Sequence, residues 1–350
     1  MKRSKWRLLE YSVKDPRFNL AVDEALLRSR QEESSIDTIR LWENSKAVVL
    51  GSTGNAEYAV NLETCSRNRT PVTRRISSGS TVYHDHDSLN FTIVLSEKSF
   101  PLPKDLLNAY KLLYEGVAKA LRILGVKVQI DDYGQSLMVG NRAISEAGQH
   151  FFYDLMIFQG TIYVNTEIER LGEILKEHET TVTSLSKEAG TIIPMEKVRQ
   201  HLVESFQNTL DVELEKGGIT DHEQALAQRL YEMKYSKRDW NIEGKEPLSL
   251  SDVLIEVYVA YPPTSKCKHI MEMVNTVAAK YPERVEVRTW MRGAGLSGRG
   301  RVGDIVMSAA LRKAAKDSII PAVIINGDIV FEKTVPSEGQ LADVVSKQLL

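Results

Sequence analysis

Residues 74 to 94 concentrate the side chains able to do chemistry: Arg74-Arg75-Ile76-Ser77-Ser78-Gly79-Ser80-Thr81-Val82-Tyr83-His84-Asp85, with Leu89-Asn90 opening a β-branched run. Two adjacent arginines supply planar forks suited to carboxylate or phosphate. The small residues after them let backbone approach a ligand closely and aim its N–H groups at an anion. An isolated Ser-Gly run also suits a tight hairpin with solvated charges. The order of residue types here favours the anion-binding loop.

Two further stretches support that reading: Asn19-Leu20-Ala21-Val22-Asp23-Glu24-Ala25, and Gly140-Asn141-Arg142-Ala143-Ile144-Ser145-Glu146-Ala147-Gly148-Gln149. Together the three resemble the lipoate–protein ligase A family of the biotin/lipoate ligase superfamily. Its signature Arg-Arg-x-Ser/Thr-Gly-Gly-Gly-Ala-Val-Tyr-His-Asp…Leu-Asn is met at Arg74, Arg75, Ser77, Gly79, Val82, Tyr83, His84, Asp85, Leu89 and Asn90. The resemblance covers residues 6 to 245. It implies an α/β (α+β) fold with a mixed sheet and flanking helices. It also implies ATP with Mg, lipoate or a related acyl group as substrate or ligand, and a lipoyl carrier domain or protein as partner. The acyl and adenylate site would comprise Arg74, Arg75, Ser77, Ser78, Gly79, Ser80, Tyr83, His84, Asp85, Asn90 and Gly140.

Departures fall inside that site. Ser78, Ser80 and Thr81 stand where the family has Gly, Gly and Ala, Asp87 where it usually has Gly, and Gly54 where it has Gln. Aligning Ile144 and Gln149 puts Ala143 at the catalytic lysine and Glu146 at a glycine. The lysine is needed because two anions, the acyl carboxylate and the α-phosphate, must meet, and a buried cation stabilises the charge that develops between them. Alanine cannot do so, and Glu146 adds negative charge. Arg142 is the candidate substitute, but on a regular strand it points to the opposite face unless a bulge re-aims it.

Two functions are therefore in view. One is ATP-dependent attachment of lipoate or a related acyl group to a carrier lysine. The other is an impaired, ligase-derived binding or regulatory protein that recognises lipoyl carrier domains or acyl ligand. A third, acyl transfer through cysteine as in octanoyltransferase relatives, finds neither Cys65 nor Cys267 at the relatives' cysteine position.

The elements that must position these residues follow from periodicity. Strands are expected at 6–12, 39–42 and 47–51, the last two meeting at a turn. Helices are expected at 17–31, 106–124, 194–209 and 221–234, and a strand at 155–164. Asp23 and Glu24 are read as carboxylates that orient arginines and cap backbone rather than as a catalytic pair. Thr180–Leu185 matches a family turn, and Lys234–Asn241 resembles the end of ligase catalytic domains.

With 350 residues the chain is long enough for two domains, expected at 1–245 and 250–350 about a linker at 244–247. A net charge of −2 gives no electrostatic argument for nucleic acid or a membrane as partner. Two cysteines far apart in sequence exclude a disulfide framework. No apolar run reaches the ~20 residues that span a bilayer, and no metal site is expected. A cytoplasmic protein is the expectation.

Past the linker the order is strand 253–260, helix 266–280, strand 285–291, helix 304–316, strands 322–326 and 328–333, helix 337–349. This β-α-β-α-β-β-α order, with Pro321 before the third strand, resembles the small thioredoxin-like fold and makes Ile320-Pro321 a candidate cis peptide. Thr264-Ser265-Lys266-Cys267 stands where thioredoxins have Cys-x-x-Cys, so Cys267 and Pro321 are the redox candidates. With Thr264 in place of the first thiol, an inert core cysteine is favoured. The Gly293–Gly303 segment with Arg292, Arg299 and Arg301 is read as a solvated loop.

Overall fold

Period-2 alternation along a few strands decides the architecture of the first part of the chain. The computed structural model describes residues 3–176, 181–293, 295–297 and 306–349. In chain order its strands are β1 (Ser4–Glu10), β2 (Thr38–Trp42), β3 (Ala47–Leu50), β4 (Val72–Arg74), β5 (Val82–His84), β6 (Ser88–Ser96), β7 (Gln129–Ile130), β8 (Ser136–Val139), β9 (Arg142–Phe152), β10 (Leu155–Tyr163), β11 (Thr181–Val182) and β12 (Val212–Gly217). The larger sheet runs β12-β1-β2-β6-β10-β9-β8-β7, with β11 also on β9, and a small sheet runs β4-β3-β5. β1 is parallel to β12 and β2, and the strands from β2 to β7 pair antiparallel, so the sheet is mixed.

Along β6, Leu89, Phe91, Ile93 and Leu95 face one side, joined by Ile39 and Leu41 of β2 and Met156, Phe158 and Ile162 of β10. The Leu106–Ile123 and Met195–Leu210 helices cover that side with Tyr114, Val117 and Leu121, and with Val198, Leu202 and Phe206. Each such side chain contributes roughly 1.5–3 kcal/mol on leaving water, before conformational entropy is counted. The alternate residues of the same strands, Arg40, Trp42, Asn90, Thr92, Gln159, Thr161 and Tyr163, are also buried, on the opposite face. That second face is polar, and it carries the site.

The Pro16–Gln31 helix begins where the sequence predicts a helix, capped by Asp15, whose side chain accepts from the Arg17 amide, with Pro16 in the first turn. The Asp221–Leu230 helix has a Thr220/Glu223 capping box, and Glu223 also takes both ends of the Arg7 guanidinium at 2.5 and 2.8 Å. It ends at Leu230, and a wider-turned Tyr231–Tyr235 segment completes the helix expected to 234. The expected turn joining 39–42 to 47–51 is a correction: β2 lies in the large sheet and β3 in the small one, and they do not pair. The polar residues between them, Glu43 to Lys46, carry the chain from one sheet to the other.

The described chain divides into two compact units, Met1–Lys245 and Glu246–Leu350. The second holds β13 (Val253–Val259), β14 (Val285–Met291), β15 (Gly295–Ser297), β16 (Ala322–Ile325) and β17 (Asp328–Glu332), in the order β15-β14-β13-β16-β17. β13 is parallel to β14 and antiparallel to β16, and β16 pairs antiparallel with β17. The hairpin at Asn326-Gly327 has both central residues at positive φ, +49° and +89°, as a two-residue turn of that type demands. Helices Ser265–Ala278, Ala309–Lys316 and Glu338–Gln348 complete the unit. The predicted start of the middle helix at 304, together with Arg299 and Arg301, lies outside the described residues. The Ile320-Pro321 bond is cis, as expected, and so is Tyr261-Pro262.

We expect residues 1–245 to fold independently. Limited proteolysis should cleave between 242 and 250 and leave a stable fragment of that size; early cutting inside 1–240 without such a fragment would place the boundary elsewhere.

Candidate functional site

Strand register assembles the site in rows across the polar face. Arg40, Thr92 and Gln159 lie side by side on β2, β6 and β10. Asp23, from the Pro16–Gln31 helix, gathers the row. Arg40 Nη1 donates to its Oδ1 at 2.6 Å, and Thr92 Oγ1 and Gln159 Nε2 donate to its Oδ2 at 2.8 and 2.7 Å. Asp23 and Arg40 are both fully buried. The neighbouring Glu24 takes Arg28 at 2.6 Å, Tyr235 Oη at 2.8 Å and Lys234 at 3.0 Å. Burial opposes its ionisation, yet Lys234 and Arg28 outweigh burial and pull Glu24 down to about 2. The pair thus orients cations, as the sequence reading has it, while the backbone capping also expected of it falls to Asp15, because the helix starts two turns earlier.

The next row is Trp42, Asn90, Thr161 and Glu146 on β2, β6, β10 and β9. His84, from β5 of the small sheet, points at it. A backbone amide sets the tautomer of that histidine: Val13 N–H donates to Asn19 Oδ1, fixing which end of the amide is oxygen. Asn19 Nδ2 therefore donates to Asn44 Oδ1 at 2.8 Å, and Asn44 Nδ2 donates to His84 Nδ1 at 2.9 Å. The ring proton then sits on Nε2 and is donated to Thr161 Oγ1 at 2.8 Å, whose hydroxyl donates to Asn90 Oδ1 at 2.9 Å. Burial first, and the Arg75 cation second, push His84 down to about 3. Both ring nitrogens are engaged, so His84 positions Thr161 and Asn90.

Between the two sheets lies a cavity of about 20 Å³, lined among others by Trp42, Arg75, His84, Asn90, Glu146 and Thr161. That is room for about one water and not for an acyl chain. Among the described residues the buried Asn90 Nδ2 has no acceptor.

Both signature arginines donate to the chain's own backbone carbonyls. Arg74 is 1% exposed and donates to five carbonyls: Gly51, Ser52 and Gly54 through Nη1, Trp240 through Nε and Ile242 through Nη2. The Trp240 indole returns a bond to Arg74 O, and Lys234 Nζ sits 3.9 Å from the centroid of the Trp240 ring. Arg74 therefore fastens the 234–242 segment to the turn after β3. Arg75 donates to Ser77 Oγ, Val49 O, Ser78 O and Ser80 O. Burial lowers it to about 10, with Glu146 and Tyr163 opposing.

The 77–81 loop lies directly on β9. A Cβ on Gly148 would stand 1.7 Å from Ser78 O, and one on Gly79, at φ +97°, 2.9 Å from Ala147 O. Only glycines allow this approach. The two serines that depart from the family pattern form the contact: Ser78 donates from N and Oγ to Gln149 O at 3.1 Å each, and Ser80 Oγ donates to Glu146 Oε1 at 2.6 Å.

Ala143 is fully buried in an apolar cluster with Val48, Leu50, Cys65, Tyr83, Tyr163 and Val182. A register shift between β8 and β9 does occur beside it, yet Arg142 is directed to Glu188, at 2.9 Å, and is not re-aimed into the site. Tyr83 is buried, and burial first, then Asp85, pushes its hydroxyl up to about 12. Asp85 holds its own turn, accepting from Asp87 N and Thr166 Oγ1. Gly140 forms the turn between β8 and β9. Thr180 of the family turn lies outside the described residues, and β11 pairs with Arg142 and Ala143. Among the described residues no group of three or more His, Cys, Asp or Glu suits a metal.

In the second unit Cys267 is 1% exposed and receives the Thr264 hydroxyl at 3.2 Å, a core thiol behind a helix cap. Asn44, Thr161, Gln159, Tyr163 and Trp240 are the functional neighbours that sequence reasoning missed. For Gln159, Thr161 and Tyr163 the signal is a polar or aromatic residue at alternate positions of an otherwise apolar strand; Asn44, in a connection, and Trp240, in a short helix, carry no such pattern.

Residues 15–207 match the family model of the lipoyl protein ligase A/B catalytic domain. The chain belongs to that family. Among its relatives, lipoate-protein ligase A subunit 1 of Thermoplasma acidophilum is 26% identical over 65% of this chain and 92% of its own length. Octanoyltransferase LipM of Oceanobacillus iheyensis is 26% identical over 69% of this chain and 98% of its own length. In structure, the family fold is shared with lipoate-protein ligase A bound with ATP, at 27% identity and a TM-score of 0.62 over 70% of this chain and all of that one. A T. acidophilum structure of a bipartite lipoate protein ligase and its E2 lipoyl domain matches at 25% identity, a TM-score of 0.62, and 69% and 98% coverage. No helix among the described residues of this family member is long and apolar enough to cross a membrane.

Two outcomes follow from this geometry. Arg74→Ala leaves several buried carbonyls without donors and should destabilise the first unit by about 3 kcal/mol or more, with Arg74→Lys failing to restore it; urea denaturation measures both, and a wild-type midpoint for Arg74→Ala would return the residue to the ligand site. For His84 the folded value lies near 3 against an ordinary 6.5. The unfolded chain therefore binds the extra proton in that window. Its contribution to stability is fully present above about pH 6.5 and is lost toward pH 3, at up to about 1.4 kcal/mol per pH unit. His84→Gln should remove that part of the slope, seen by comparing urea midpoints between about pH 4 and 7; equal slopes would mean His84 is protonated in the fold.

Proposed function

We propose that this chain is a ligase-derived binding protein that recognises a lipoyl carrier domain or its acyl group and does not itself carry out ATP-dependent attachment. One observation carries the reading: Ala143, which the sequence resemblance aligns with the family's catalytic lysine, is enclosed in an apolar cluster. Neither Arg142, paired with Glu188, nor Arg74, engaged with five carbonyls, is directed to that position. A triphosphate with Mg fits these residues poorly, because Glu146 brings negative charge to the same face. A carrier partner is supported by the relative whose structure pairs a bipartite ligase with its E2 lipoyl domain. Lipoate as the acyl class is supported by a T. acidophilum relative, 28% identical, solved with bound lipoic acid.

For the second unit we propose a thioredoxin-like fold without thiol exchange. The parallel β13–β14 pair, the antiparallel β13–β16 pair and the antiparallel β16–β17 hairpin support the fold. The enclosed Cys267 and the Thr264 cap support the absence of redox chemistry.

Incubation with ATP, Mg, lipoate or octanoate, and a lipoyl carrier domain should give no pyrophosphate above background. Calorimetric titration with the carrier domain should show binding. Pyrophosphate release at ordinary ligase rates would overturn the reading in favour of an active ligase, and absence of carrier binding would remove the partner.

A further inference from the structure

Glu146 is a carboxylate in the interior of the first unit, 7% exposed, at a strand position that faces the cavity. Each of its oxygens has a hydroxyl donor: Ser80 Oγ on Oε1 at 2.6 Å and Tyr163 Oη on Oε2 at 2.8 Å. The Arg75 guanidinium, bonded to Ser78 O and Ser80 O at 2.8 Å, is a nearby cation whose charge the carboxylate favours. In register Glu146 stands opposite Thr161, next to Asn90, whose buried amide N–H group has no acceptor among the described residues. Two hydroxyls bond this carboxylate, and a cation and a donor without an acceptor, Arg75 and Asn90, line the same small cavity as Glu146 does; together they make an anion site, and the chain's own carboxylate fills it. The same carboxylate holds Ser80, and with it the 77–81 loop, against β9.

We propose that Glu146 is an internal stand-in for a ligand carboxylate: it occupies a monocarboxylate site built by Ser80, Tyr163 and Arg75, and keeps the loop closed over it. The inference rests on the binding reading above only in taking an acyl carboxylate as the ligand. It assigns the site a class, aliphatic monocarboxylates, and an autoinhibitory contact that makes free acids weak ligands of the native chain. Shortening Glu146 should leave the donors in place and the anion missing, so an added carboxylate can take its position.

The experiment uses the full chain. Melting temperatures of wild type, Glu146→Ala and Glu146→Gln are measured in sodium acetate and in sodium chloride at equal ionic strength. Glu146→Ala should melt several degrees lower in chloride and regain about 3 °C or more in acetate, saturably, as binding to the folded state alone requires. Wild type and Glu146→Gln, whose side chains fill the site, should not respond. A Glu146→Ala chain that folds only in acetate also supports the proposal, and if it folds in neither salt, Glu146→Ser carries the same comparison. No acetate response in a folded shortened variant overturns it. Octanoate titrations then separate the two readings. A Kd at least tenfold lower for Glu146→Ala than for wild type supports both. Equal octanoate affinity in wild type and variant overturns the stand-in while keeping acyl binding. An acetate response without octanoate or lipoate binding in any form keeps the stand-in and removes the acyl reading.

Discussion

The Asp23 carboxylate is the constraint on which the site depends. Arginine, threonine and glutamine side chains lie across three neighbouring strands, on a face buried from solvent. A buried guanidinium is tolerable only with an acceptor of good geometry, and removing one partner from such a group typically costs several kcal/mol. Asp23 accepts from all three residues, so the helix that carries it has one seat on the sheet. That seat brings Asn19 to Asn44, and through Asn44 it sets the proton on His84. The polar face is thus a connected network, in which each member fixes the next.

A second set of bonds ties the ends of the first unit together. Arg74 spans from the turn after β3 to the backbone at Trp240 and Ile242, and Asn241 Oδ1 accepts from the Arg74 amide and from Thr73 Oγ1. The 234–242 segment is therefore part of the site's frame. Its loss would expose one side of Arg74 and leave the 51–54 carbonyls less well held. A guanidinium suits this work because its fork reaches several carbonyls in different directions, which an ammonium on a flexible stem does not.

The departures from the family pattern act together. Ser78 and Ser80 supply hydroxyls where the family has glycines, and β9 supplies their acceptors, Gln149 O and Glu146 Oε1. Gly79 and Gly148 keep the close approach that lets those bonds form. The 77–81 loop is thereby bonded to the strand beneath it, beside a cavity with room for about one water.

Much of this was legible in the residues. Signature order identified the family, periodicity located the main helices and strands, and Asn326-Gly327 marked the hairpin, because these are local properties of backbone and side-chain type. Asp23 and Glu24 read correctly as partners of cations, although they sit in the middle of their helix and not near its start. The sequence also determined that Ala143 cannot act as a cation, since side-chain chemistry needs no fold to be excluded. Where each charge points was decided only by tertiary structure. Two arginines beside a small-residue loop look alike whether they face phosphate or backbone carbonyls, and the carbonyls that Arg74 meets come from residues 51–54 and from 240 and 242. Likewise the tautomer of His84 and the two hydroxyls on Glu146 depend on strand register, a long-range property that no local spacing carries.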